Sequence, residues 1–177
     1  MKIGTDVVID PNTRFTRPGL VSIGDHVAID WGFYCTTALT VGDYVHISPH
    51  VAVIGGGNTA LMIGDFCFIS VGARMLCASE HFMGAGLIGP VIPEEFRDEI
   101  MSGPIVMKSF SGVCANSVVM PGVTMGQGSI LGANSFLKGD AQPWTIYAGN
   151  PARPIKDRPM GKMIKYAQDL KDRDGKL

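Results

Sequence analysis

From Met107 to Lys138 the sequence repeats every sixth residue. Met107, Val113, Val119, Met125, Leu131 and Leu137 are large and apolar, and Ser111, Ser117, Ser129 and Ser135 each stand four places after one of them. A helix turns about 100° per residue, so six residues advance about 600° and successive members of the series would point in three directions around it. That excludes an amphipathic helix. In a strand the side chains alternate, so positions i, i+2 and i+4 share one face, and a large aliphatic followed by a small serine fills one interior. Glycine follows closely, as in Met125-Gly126 and Leu131-Gly132, which suits a chain that turns after every short strand. The pattern predicts an all-β chain, a parallel β-solenoid built from internal repeats.

The same phase runs back to the start of the chain. Ile3, Ile9 and Phe15 precede a two-residue slip between Arg17 and Leu20; Ile23, Ile29, Cys35, Val41, Ile47 and Val53 then precede a four-residue slip in residues 55–60. Ile63, Ile69 and Met75 resume it, giving eighteen hexapeptides in all and, at three per coil, about six coils. Insertions in a solenoid go to its corners, where they disturb no stacking. The longest is residues 80–104, in which Gly84, Gly86, Gly89, Pro90, Pro93, Gly103 and Pro104 break all periodicity: an extruded loop that lids or lines a site, or packs across a neighbouring subunit. Within it, Pro93 followed by Glu94 and Glu95 predicts the start of a short helix. Met160, Ile164, Ala167 and Leu170 predict a short amphipathic C-terminal helix that caps the last coil, with Gly175 just past its end. The expected division is a solenoid domain over 1–156, loop and tail included, and the helix over 157–177.

Pro121-Gly122-Val123-Thr124, Gly132-Ala133-Asn134-Ser135 and the segment from Trp144 to Lys156 together resemble the hexapeptide-repeat acyltransferases, in particular the sugar, galactoside and xenobiotic acetyltransferase group. The resemblance implies a left-handed parallel β-helix, a homotrimer, and transfer of an acetyl group from acetyl-CoA to a hydroxyl or amine of a sugar or nucleotide sugar in surface-polysaccharide metabolism. Fold alone does not imply function. Two alternatives remain open: a non-catalytic β-helix serving as a binding or assembly subunit, and a metalloprotein like the γ-class carbonic anhydrases, which share the fold.

Composition narrows the classes further. A net charge of −1 with scattered Lys and Arg argues against nucleic acid as a partner. Gly or a charged residue interrupts every apolar run before membrane-spanning length, so no membrane insertion is expected, and Met1-Lys2-Ile3-Gly4 enters a repeat directly, which predicts a cytoplasmic protein. Cys35, Cys67, Cys77 and Cys114 form no close pair and read as reduced thiols of the core or its edge. With four His and no tight cluster, no metal ligand set is expected.

Acyl transfer needs a base for the acceptor's proton and a groove for the donor, but no enzyme nucleophile. In the resembling family a His beside the extruded loop is the base, and here Ser79-Glu80-His81-Phe82 holds that place, which makes His81 the first candidate. Glu80, five residues after Met75 at an outward corner, is a second candidate for base or orienting group. His46, five after Val41, also faces outward and would meet a neighbouring subunit. His26 and His50 read as plain surface residues. For the donor, the resemblance assigns Trp144 to the adenine or pantetheine, Arg153 and Lys156 to the phosphates, Asn150, Pro151 and Ala152 to the closing tail, and Gly132 and Ala133 to the wall of the groove, where a bulkier residue would block the pantetheine.

Overall fold

In the computed structural model, which describes residues 1–175, the repeats wind into a three-sided parallel β-helix. One face climbs from Lys2–Ile3 through Val21–Ile23, Ala38–Val41, Ala60–Ile63 and Ile105–Met107 to Thr124–Met125. A second climbs from Val7–Ile9 to Ile130–Leu131, and a third from Arg14–Phe15 to Phe136–Leu137. Parallel register places Val41, Ile63, Met107 and Met125 in one inward column. From the second coil onward the hexad aliphatics are sealed from solvent, with Val113, Val119, Met125 and Leu131 each 0% exposed, whereas Ile3 in the open first coil is 48% exposed. The serines four places on are buried with them, and that of Ser117 bridges coils: its hydroxyl donates to the Gly132 carbonyl at 2.7 Å and accepts the Ser135 amide at 3.2 Å.

Six full coils form, and a seventh begins: Ala141 bridges to Met125, and Thr145–Gly149 pairs with Ile130–Leu131, with Tyr147 beside Leu131. The short inward residue Ala141 breaks the hexad signature here, so periodicity alone stops a coil early. The chain then doubles back, Ala152–Asp157 running antiparallel to Thr145–Gly149 as a terminal hairpin.

The corner between the first and second faces explains three triplets, Gly24-Asp25-His26, Gly42-Asp43-Tyr44 and Gly64-Asp65-Phe66. The Asp43 carboxylate accepts the Asp25 amide at 2.7 Å and that of Asp65 accepts the Asp43 amide at 3.0 Å. Gly is required beside them, since a Cβ on Gly24 or Gly42 would stand 2.4 or 2.5 Å from the next coil's carboxylate oxygen. The third residue turns the corner in the left-handed region, with φ of 55°, 57° and 57°, and Phe110 and Trp144 do the same at 66° and 52°. That conformation costs a bulky residue about 1–2 kcal/mol. It is offset by amide bonds to the coil below and by stacking: ring centroids from His26 through Tyr44, Phe66 and Phe110 to Trp144 are 4.7, 4.9, 5.2 and 5.9 Å apart.

The C-terminal helix, Gly161–Arg173, forms as expected, with Gly175 at φ +68° beyond it. It does not cap the last coil. Its apolar side needs apolar surface, which the aromatic column supplies, so the helix lies back along that corner. Lys171 donates to Asp65 at 2.7 Å, and Asp174 accepts from the Tyr44 hydroxyl and faces His26 Nε2 at 3.3 Å. Arg158, ahead of the helix, donates to the carbonyls of Phe110 and Gly128 at 2.7 and 3.0 Å. His26 is therefore part of this corner's packing rather than a plain surface residue.

The loop over 80–104 is extruded as expected, but its base is ordered into an antiparallel pair, Ala78–Glu80 with Ile100–Ser102. After Pro93 only a single 3-10 turn forms, Glu94–Phe96. Among the described residues no helix is long and apolar enough to cross a membrane.

Candidate active site

Three clusters hold the residues singled out from the sequence. The first is the loop base, at the corner between the third and first faces. There the hairpin register opposes Glu80 to Ile100, so the His81 amide donates to the Glu99 carbonyl at 2.9 Å. The half-exposed imidazole places Nδ1 3.8 Å from the Glu99 carboxylate. Side chains alternate along a strand, so Glu80 turns away from His81 and lines a 40 Å³ cavity with Leu87, Arg97 and Asp98. The structure thus brings Glu99 to the histidine, and not Glu80. Asp98 is 4% exposed and ties the loop down, accepting the amides of Glu99 at 2.8 Å and Gly84 at 3.3 Å.

The second cluster lies on the second face, where His46 stands in register between Ala28 and Phe68. Its Nε2 is 2.7 Å from Asp30 Oδ2. In a three-sided prism this face is opposite the corner that carries His81, so the two histidines cannot serve one site within a single chain. His50 lies at the next corner, edge-on to Trp31 with centroids 4.4 Å apart. Among the described residues no group of three His, Cys, Asp or Glu is placed to hold a metal ion.

The third cluster is the tail. Gly132 donates its amide to the Tyr147 carbonyl at 2.7 Å, and a Cβ there would stand 3.1 Å from that of Ala148, so the close approach of the next strand favours a residue without a side chain. The hairpin turn at Asn150-Pro151 is drawn to the same edge by the Gly149 amide, which donates to Ser135 Oγ at 3.0 Å. Arg153 is exposed and, with Lys138, Asp140 and Tyr147, lines a cavity of about 290 Å³ at the end of the prism. Lys138 and Asp140 stand at the same corner as the loop base, two rungs above the coil that extrudes the loop, roughly 10 Å along the prism. Lys156 sits beside Ile146 on the outer strand, toward the aromatic corner. Trp144 lies apart from the turn: its ring tops the aromatic column, crossing Gly128 to reach Phe110.

Among the aromatic residues of the second and third faces, Trp31 is 51% exposed, whereas Phe33 is buried in the core with its ring centroid 5.6 Å from that of Phe15. Phe68 lies flat over Gly112, where the missing side chain makes room for its ring. No thiol is primed for nucleophilic attack: burial pushes Cys35, Cys67 and Cys114 up, and Cys77 to about 11.

The sequence offered no sign of Glu99 or Asp30 as histidine partners. Each is set by pairing between distant strands, which only the folded register provides.

Comparison with known proteins gives a consistent picture, although no family model matches the chain. It is 30% identical over 161 residues to a dTDP-4-amino-4,6-dideoxy-D-glucose acyltransferase of Escherichia coli, spanning 88% of this chain and 81% of that protein. It is 29% identical over 112 residues to a chloramphenicol acetyltransferase of Agrobacterium fabrum, spanning 58% and 54%. Among solved structures, AntD, an N-acyltransferase from Bacillus cereus in complex with dTDP and 3-hydroxybutyryl-CoA, superposes with a TM-score of 0.92 at 31% identity, over 98% of this chain and 91% of that one. A variant of AntD has been solved with dTDP-4-amino-4,6-dideoxyglucose and coenzyme A.

Proposed function

This chain belongs to the hexapeptide-repeat β-helix acyltransferases, and from that premise we propose that it transfers an acyl group from an acyl-coenzyme A to the amine of a nucleotide-linked amino sugar. The observation that carries the acceptor is the likeness, over nearly the whole length including loop and tail, to proteins that act on or bind dTDP-amino sugars. The chloramphenicol acetyltransferase likeness covers little more than half of either chain.

The geometry supports a simple mechanism. An amine must be neutral to attack, and His81, held through its main chain by Glu99 and with Nδ1 facing that carboxylate, leaves Nε2 to take the proton. The nitrogen lone pair adds to the thioester carbonyl, a C–N bond forms, the C–S bond breaks, and the leaving thiolate recovers the proton from the imidazolium. Arg153 and Lys156 supply cations for the coenzyme's phosphates, with Asn150, Pro151 and Ala152 shaping the turn. The small residues Gly132, Ala133 and Ala148 leave room for pantetheine. In this reading Trp144 serves the donor indirectly, by anchoring the hairpin that carries Arg153. Acetyl is the simplest donor; the 3-hydroxybutyryl-CoA held by AntD marks a longer acyl group as the one to test beside it.

The proposed assembly is a homotrimer, working in the cytoplasm. Trp31, Tyr34 and Val71 are exposed apolar residues around the third face and its corner, and a neighbour's second face would bring His46 with Asp30 toward the site. The test is coenzyme A release from acetyl-CoA and 3-hydroxybutyryl-CoA over a panel of dTDP-amino sugars, their hydroxyl counterparts and chloramphenicol. Turnover confined to the amino sugars is expected. Turnover of chloramphenicol alone overturns the assignment.

A further inference from the structure

Among the described residues, seven ring-bearing ones occupy the left-handed region: His26, Tyr44, His50, Phe66, Phe82, Phe110 and Trp144. Six of them rest on another ring, five in the corner column and His50 against Trp31. Phe82, with φ of +58°, meets no other ring among the described residues and is 61% exposed. Such a conformation persists only when its surroundings impose it, and it concentrates at functional sites. Here the chain is tied on both sides. The His81 amide donates to the Glu99 carbonyl at 2.9 Å, and the Gly84 amide to the buried Asp98 carboxylate at 3.3 Å. Between these ties Phe82 and Met83 form a short apolar tip, Met83 being 75% exposed, directly after the candidate base.

An apolar tip beside a base that works on an amino sugar has a chemical meaning. In a 4-amino hexose the amine on C4 is vicinal to the substituent on C5, so whatever holds that substituent lies next to the group that takes the proton. We propose that Phe82 and Met83 are specificity-determining residues that seat the C5 methyl and adjoining C–H face of a 6-deoxy sugar, and so discriminate against sugars with a 6-hydroxyl. This rests on the reading above that the acceptor is a nucleotide-linked amino sugar with its amine at His81. A methyl packs on the ring and thioether, whereas a hydroxymethyl group would lose water from its hydroxyl and find no partner there.

The test compares kcat/KM for dTDP-4-amino-4,6-dideoxyglucose and dTDP-4-amino-4-deoxyglucose, which differ by the 6-hydroxyl. The wild-type enzyme is expected to favour the deoxy sugar by about tenfold to a hundredfold, the usual reach of an apolar pocket. Phe82→Asn keeps a residue that accepts positive φ and should bring the ratio near unity with the KM for acyl-coenzyme A unchanged, while Phe82→Leu, still apolar, should retain most of the preference. A wild-type enzyme that uses both sugars equally, or a Phe82→Asn variant that keeps the full ratio, overturns the proposal and leaves the amino-sugar reading standing. A Phe82→Asn variant that loses mass in light scattering with its ratio intact assigns the tip to subunit packing and overturns it too. A wild-type enzyme that acylates neither sugar overturns both.

Discussion

Replacing Gly128 with alanine tests the corner column and its hold on the tail. Gly128 has φ +69°, and an added Cβ would stand 2.2 Å from Trp144 Cε3 and 2.5 Å from Cδ2. Gly122 is the natural control: its φ is +79°, yet an added Cβ meets nothing within 4 Å. Gly122→Ala should therefore show the conformational cost alone, about 1–2 kcal/mol. Gly128→Ala adds displacement of a half-buried indole. The lost stacking on Phe110 is worth about 0.5–1.5 kcal/mol, and re-exposure of part of the side chain about 1.5–2.5 kcal/mol. The expected excess over Gly122→Ala is thus about 2–4 kcal/mol, roughly 4–16 °C in Tm for a domain of this size. Calorimetry on both variants, repeated in a Trp144→Ala background, decides the matter. With the indole gone, Gly128→Ala should fall to the cost of Gly122→Ala. Equal losses in the two single variants, or an excess that survives without the indole, would refute the packing argument.

His81→Ala should lower kcat by roughly 10² to 10⁴ with coenzyme A affinity unchanged, the usual consequence of removing a general base; Glu99→Gln should cost less, and a full-rate His81→Ala with a dead His46→Ala would move the base to the second face. Arg153→Ala should weaken coenzyme A binding by about 1–3 kcal/mol in calorimetry, and an unchanged affinity would make the tail's role structural. The Cys77 thiol is pushed to about 11 by burial, above its ordinary 9.0, so its contribution is fully present below pH 9 and lost as pH climbs through 11. Thiol labelling at pH 8 should accordingly reach Cys114 first and Cys77 only on unfolding, and rapid labelling of Cys77 in the native protein would contradict its burial.

What the sequence determined by itself was the repeating unit. A period of six with aliphatic and serine four apart is a property of a few bonded neighbours, since alternation along a strand and glycine at its end decide inside from outside without reference to anything distant. The C-terminal helix was legible for the same reason, as was the site of the loop, where the period fails and His81 appears. The triplets of glycine, aspartate and an aromatic were visible too, but their meaning was not. They are unequally separated along the chain, and only the winding, with insertions of unequal length absorbed at the corners, stacks them into one column. That column then set what the helix would cover, drawing it from the expected end coil to the corner. It also claimed Trp144 for packing, and the prism set His46 on the face opposite His81. Glu99 reached His81 only because the loop closes as an antiparallel pair. The local period is written in consecutive residues, whereas contact between coils depends on how many residues each corner absorbs, and that sum is settled only when the whole chain is wound.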